Sequence, residues 1–243
     1  MVEYPCSSQE AFQISGEDSY IKPNEIVTAR KCITEKYGLK LLGVDPARFG
    51  DDRTALIRRQ GRVAYGLETY SKLDTMQIVG LIHRIVKDEG IDKVFIDIVG
   101  LGVGIYDRLM ELGLHERLVP VNSGIIALDE SKFMNKRAEM WFEMREWLIE
   151  QPAQIPDRDE LHSDLASVRY SFDSKGRLRM EKKEDMKKRG LRSPDAAEAL
   201  LHTFYYPASA LLDSANKRTD EVAKQMMSKH RETLKAHRAA FNK

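Results

Sequence analysis

The chain has 243 residues, 42% hydrophobic and 32% charged, with 39 Lys and Arg against 38 Asp and Glu. A chain this apolar buries a core, which excludes global disorder, and no run of about 18 apolar residues is present to span a membrane. Its two cysteines, Cys6 and Cys32, exclude a disulfide scaffold and a Cys-rich zinc site and fit a reducing compartment.

Residues 1–38 are polar and broken by Pro5, Gly16 and Pro23. They read as an extended lead-in with no secretory leader and a short helix at Pro23–Lys31. Lys40–Asp45 is an apolar run ending in an acid, followed by the turn-rich Pro46-Ala47-Arg48-Phe49-Gly50-Asp51-Asp52. Thr54–Arg59 and Arg62–Glu68 read as strands joined by a turn at Arg59-Gln60-Gly61. Ile78, Val79, Ile82, Ile85 and Val86 recur at helical spacing, which predicts a helix over Thr75–Glu89 closed by Gly90. Lys93–Asp97 is a second apolar strand ending in an acid. Gly100, Gly102 and Gly104 then suit a tight strand-to-helix turn before a helix at Ile105–Leu112. Leu118–Val121 reads as a strand and Lys136–Glu150 as an amphipathic helix. Asp159–Val168 reads as a short helix and Tyr170–Glu181 as a hairpin around Ser174-Lys175-Gly176. Ser193 as N-cap and Pro194 at the first helical position open a last helix running to about Tyr205. The order β-β-β-α-β-α-β, with helices following, predicts a mixed α/β sheet covered by helices.

The near-neutral total hides an uneven distribution of charge. Residues 176–192 hold eight Lys and Arg against three acids, and residues 214–243 hold the same numbers. Such segments on a near-neutral chain are candidate phosphate-binding surfaces, although a solvated face or loop has the same composition.

The chemistry concentrates on acids. Asp45 and Asp97 each end an apolar strand, and Asp195 stands in the first turn of a helix, with Glu198 one turn on along the same face. Ligands of open α/β sheets collect at strand ends. Carboxylates brought together repel unless a cation neutralises them, and hard divalent ions with oxygen ligands do so. Taken singly, Asp45 before Pro46 also suits a turn, and Asp195 a helix dipole. No His-x-x-x-His or Cys-x-x-Cys pair supports zinc. No Walker-type loop is present, and Gly100-x-Gly102-x-Gly104 has the wrong spacing and place for a dinucleotide loop.

Gly43-Val44-Asp45-Pro46-Ala47-Arg48-Phe49-Gly50-Asp51-Asp52 resembles the opening motif of the nuclease domain of the large terminase subunit, the DNA-packaging motor of tailed bacteriophages. Phe95-Ile96-Asp97 with Gly100–Leu109 resembles the second motif, and Arg192-Ser193-Pro194-Asp195-Ala196-Ala197-Glu198-Ala199-Leu200 the third. Asn135–Trp141 and Tyr170–Glu181 also look like the family. The resemblance covers roughly residues 1–206, and its ordered motifs are more specific than any one alone.

It implies an RNase H-like fold, a mixed central sheet flanked by helices, and a metal-dependent endonuclease that cuts concatemeric viral DNA using two Mg²⁺ or Mn²⁺ ions. Asp45, Asp97 and Asp195 would be the catalytic, metal-binding triad, with Asp51 and Glu198 as further candidate ligands. One ion would lie between Asp45 and Asp195 and activate water; the other, between Asp45 and Asp97, would stabilise the leaving oxygen. Lys182, Lys183, Lys187, Lys188, Arg189 and Arg192 lead into Asp195 and are the candidate DNA-binding residues. The resemblance divides the chain into the end of an upstream ATPase region (1–38), the nuclease domain (39–207) and a charged helical tail (208–243). Its implied partners are double-stranded DNA, the small terminase subunit, the ATPase domain of the same subunit and, through the tail, the portal protein, all in the host cytoplasm and away from membranes. The rival classes are a non-catalytic DNA-binding or assembly module and an ATPase of the actin-like fold.

Overall fold

In the computed structural model, residues 19–47, 52–150 and 152–206 are described. Asp51 and the tail from 207 onward lie outside this set. The chain divides into a main unit, Met1–Tyr205, and a second, Tyr206–Lys243. No helix among the described residues is long and apolar enough to cross a membrane.

A five-stranded sheet organises the main unit. Its strands are β1 (Lys40–Asp45), β2 (Thr54–Gln60), β3 (Val63–Tyr70), β4 (Lys93–Asp97) and β5 (Leu118–Val121), in the order β3-β2-β1-β4-β5. β1–β2 and β2–β3 pair antiparallel, whereas β1–β4 and β4–β5 pair parallel. Helix α1 (Pro23–Lys31) precedes the sheet. It buries Ile26 and Ala29, and Arg30 reaches across to Asp157 and Asp159, so this stretch belongs to the folded body.

Strand periodicity decides which face each side chain takes. In β1, Leu42 and Val44 join the core cluster with Val94 and Ile96 of β4 and Leu56 of β2. Helices α2 (Thr75–Glu89) and α3 (Leu101–Leu109) cover that face through Ile78, Ile82, Ile85 and Ile105. The cap of α2 is written in sequence: Asp74 accepts from the Gln77 amide at 2.8 Å, and Gln77 returns the bond to the Asp74 amide at 2.9 Å. Gly90 ends the helix in the left-handed conformation, φ 65°.

The alternate residues of β1 and β4, Asp45 and Asp97 among them, therefore face the opposite layer. That layer holds α4 (Lys136–Ile149), α5 (Asp159–Ser167), α6 (Lys183–Lys188) and α7 (Asp195–His202). A separate hairpin, β6 (Tyr170–Phe172) with β7 (Leu178–Met180), lies between α5 and α6 in sequence. Helix α7 packs on β1 with its backbone nearly touching: a Cβ on Gly43 would sit 1.8 Å from the Ala199 carbonyl oxygen.

Several predicted elements differ from the structure in their bounds, the last helix ending at His202 among them. Helix α3 begins at Leu101, four residues earlier than the glycine spacing predicts. Gly102 lies inside it, where a Cβ would fall 1.6 Å from the Asp97 carbonyl oxygen, so the glycine serves close helix–strand approach instead of the turn. Ser193 does not cap α7, and Pro194 precedes the helix. The Ser193 hydroxyl donates to Asp52 at 2.8 Å, while buried Asp164 of α5 accepts from the Ala196 amide at 2.9 Å and takes the capping role. Finally, the basic run contains a helix, α6, where sequence alone left a loop as the alternative.

Candidate metal centre

Strands β1 and β4 run parallel in register, with Val44 beside Ile96. Asp45 and Asp97 follow this last registered pair, so two strand ends carry two acids to one edge. One carboxylate oxygen of each lies within 4.8 Å of the other and of a ring nitrogen of His202. Asp45 is buried. Asp97 is half-buried and accepts from the Val99 amide at 2.9 Å, which fixes its rotamer. Both acids line a cleft of about 400 Å³ with Asn135, Arg137, Lys182 and Lys183.

Asp195 is the third acid predicted for the centre. It is 2% exposed, and its Oδ2 accepts from the Arg53 amide at 2.8 Å. It is outside the group formed by Asp45, Asp97 and His202. Burial first, then repulsion from Asp45, pushes its carboxyl up to about 7. Burial also raises Asp45, against the opposing pull of Lys183 and His202. Asp164, which caps the same helix, is pushed up by burial to about 6 despite the Ala196 amide, Arg192 and Arg53. Around the centre, the carboxyls of Asp45, Asp97, Asp195 and Glu198 outnumber the cations of Lys183 and Arg137.

Those cations are specific. Lys183 Nζ lies 3.3 Å from Asp45 Oδ2, and although burial disfavours its charge, Asp45, Glu198 and Asp195 together raise its pKa. Glu198 is buried and bound to Arg137, whose Nε and Nη2 donate at 3.0 and 2.6 Å. Burial would raise Glu198, but Arg137, Lys183 and His202 outweigh it and hold the carboxyl at about 2. Glu198 is therefore a permanently charged partner of Arg137.

Four of the other basic residues predicted to meet DNA have acidic partners within the fold. Lys187 pairs with Asp52 at 3.1 Å, Lys188 with Asp185 at 2.7 Å, and Arg192 with Asp164 at 3.7 Å. Arg189 binds Glu181 through Nε at 2.7 Å. Lys182 and Arg179 are exposed and line the cleft.

Sequence reasoning missed His202. The available signal was its spacing: Asp195, Glu198 and His202 fall at i, i+3 and i+7, one face of a helix. A search for paired histidines passes over such a residue, because its companions are acids on other elements.

The charge imbalance has a measurable consequence. A carboxyl raised in the folded state contributes stability that is whole at acid pH and is lost as pH rises through its folded value, about 7 for Asp195. In metal-free buffer at pH 8, Asp195→Asn is expected to stabilise the fold by about 3 kcal/mol. The gain should vanish near pH 4. Urea denaturation in EDTA across this range checks it.

No protein-family model matches this chain, and no curated protein matches it in sequence. Solved structures do match. A mutant nuclease domain of the large terminase subunit gp2 of bacterial virus Sf6, with manganese and beta-thujaplicinol, has a TM-score of 0.71 at 18% identity, covering 78% of this chain and 100% of that one. The large terminase nuclease from thermophilic phage G20c, with bound magnesium, has a TM-score of 0.58 at 14% identity, covering 77% of this chain and 97% of that one. The HK97 bacteriophage large terminase has a TM-score of 0.56 at 13% identity, covering 77% of this chain and 43% of its own. By its mixed sheet, flanking helices and these likenesses, the chain has the RNase H-like fold of the nuclease domains of large terminase subunits.

Proposed function

We propose that this chain is a metal-dependent endonuclease that cuts concatemeric viral double-stranded DNA during genome packaging, hydrolysing phosphodiesters with two Mg²⁺ or Mn²⁺ ions. The observation that carries the reading is the convergence of Asp45 and Asp97, within 4.8 Å, at the edge of a cleft. Hard oxygen donors with uncompensated negative charge fit hard divalent cations. Asp45 and Asp97 would hold one ion, and Asp45 with Asp195 the other. When bound, such a pair activates water and stabilises the leaving 3′ oxygen.

The chain's own residues set the stage for this chemistry. Val99 and Arg53 fix the rotamers of Asp97 and Asp195 through backbone amides. Lys183 balances Asp45, and Arg137 keeps Glu198 charged and anchored. Lys182 lies at the cleft, where a phosphate-bearing strand would enter, and supplies sequence-independent attraction. The ion pairs of Lys187, Lys188, Arg189 and Arg192 must open, or be shared, for those residues to meet DNA. The partners proposed beyond DNA are the small terminase subunit, the ATPase domain of the same subunit and, through residues 208–243, the portal protein.

The test is nicking of supercoiled plasmid without ATP. Mg²⁺ or Mn²⁺ should support cutting, and Ca²⁺, with its longer and looser coordination, should not. Cutting that survives excess EDTA overturns the metal reading, and an inert domain that still binds DNA favours the assembly module.

A further inference from the structure

Helix α7 turns three polar side chains toward the acids, and two of them have protein partners. Asp195 accepts from the Arg53 amide, and Glu198 accepts from Arg137. His202 differs. It is 1% exposed, and its Nδ1 lies 3.0 Å from the carbonyl oxygen of Val44, the residue before Asp45. A carbonyl only accepts, so Nδ1 carries the proton and, in the neutral ring, the lone pair belongs to Nε2. No hydrogen bond takes that nitrogen among the described residues.

A buried histidine ordinarily finds partners for its ring. Here the groups around His202 are carboxylates: one ring nitrogen and one oxygen from each of Asp45 and Asp97 lie within 4.8 Å of one another. Lone pairs facing lone pairs repel, and a cation between them converts the repulsion into coordination. The backbone carbonyl on Nδ1 also has the form of the outer partner that fixes the tautomer of a metal-ligating histidine.

We propose that His202 Nε2 is a protein ligand, with Asp45 and Asp97, of one metal ion. This rests on the nuclease reading and adds a nitrogen to an all-oxygen site. The consequence is selectivity. Mg²⁺ favours oxygen donors and retains its waters, whereas first-row transition ions gain more from an imidazole. His202 therefore biases the site toward Mn²⁺.

The experiment loads Mn²⁺ into the full chain and records pulsed electron paramagnetic resonance of the bound ion, with calorimetry for affinity. Wild-type protein should show ¹⁴N coupling from one directly bound imidazole, replaced by ¹⁵N coupling when histidine is isotope-labelled. His202→Gln should lose the coupling and bind Mn²⁺ at least about tenfold more weakly, with a smaller change for Mg²⁺. The isotope arm uses unmutated protein, so it decides the question even if the variant folds poorly. Mn²⁺ bound with Asp45→Asn-sensitive affinity but without nitrogen coupling overturns the histidine ligand and leaves the nuclease reading standing. Failure of wild-type protein to bind Mn²⁺ at all overturns both.

Discussion

Asp45→Asn and Asp97→Asn are each expected to slow metal-dependent nicking by roughly 10³-fold or more. Removing partners outside the ligand shell typically costs metal sites about 10–100-fold, and a lost ligand costs more. The two acids end neighbouring parallel strands, so neither can be replaced by a swing of the other's backbone. The amide is close to isosteric and keeps the Val99 contact of Asp97, so the sheet should survive. In metal-free buffer Asp45→Asn should melt no lower than the parent, since burial already disfavours the Asp45 charge. Plasmid nicking, alongside circular dichroism melts, checks both arms. Wild-type rates in both variants would remove the strand-end acids from the mechanism.

Arg137→Ala is expected to be the most damaging single change to stability outside the apolar core, at about 3–5 kcal/mol. The side chains of Arg137 and Glu198 are 14% and 3% exposed, so truncating the arginine leaves a carboxylate buried beside Asp45. Arg137 also donates to the Glu181 carbonyl at 2.7 Å, which ties α4 to the segment entering α6. The sign with pH follows from Glu198, held at about 2 in the folded protein. A carboxyl lowered in this way contributes stability that is present above its ordinary value and is lost as pH falls through about 2. At pH 7 the full contribution is therefore at stake. Arg137→Ala/Glu198→Gln should recover much of the loss, because the uncompensated charge goes with it. Chemical denaturation of the two single variants and the double variant gives the coupling.

Local signals made much of this legible. Lys40–Asp45 and Lys93–Asp97 ran together as apolar stretches with an acid at the end, and each forms the strand it predicts. The helical spacing of Ile78, Val79, Ile82, Ile85 and Val86, closed by Gly90, bracketed α2 at the residues observed. What sequence could not show was long-range. Asp164 caps α7 from a helix some thirty residues earlier, so Ser193 and Pro194, a good local start, lose to a tertiary contact. Gly102 reads as a turn glycine until the closeness of α3 to β4 is known. The ion pairs of the basic run depend on where Asp52, Asp164 and Glu181 come to rest in space. Spacing puts His202 on the helix face of Asp195 and Glu198, but its meeting with Asp45 and Asp97 depends on how α7 docks on β1.

The docking of α7 on β1 has a consequence for the order in which the fold brings these side chains together. Gly43 and Ala199 meet backbone to backbone, yet among the described residues one lies in the first strand of the sheet and the other in the last helix. A nascent chain can pair β1 with β2 and then β4 while it is still being synthesised, since those contacts are comparatively local. It then holds Asp45 and Asp97 but neither Asp195 nor His202. The four residues therefore come together only when α7 docks on the sheet, through contacts distant in sequence. A chain that lacks α7 carries the sheet and its two strand-end acids without Asp195 and His202.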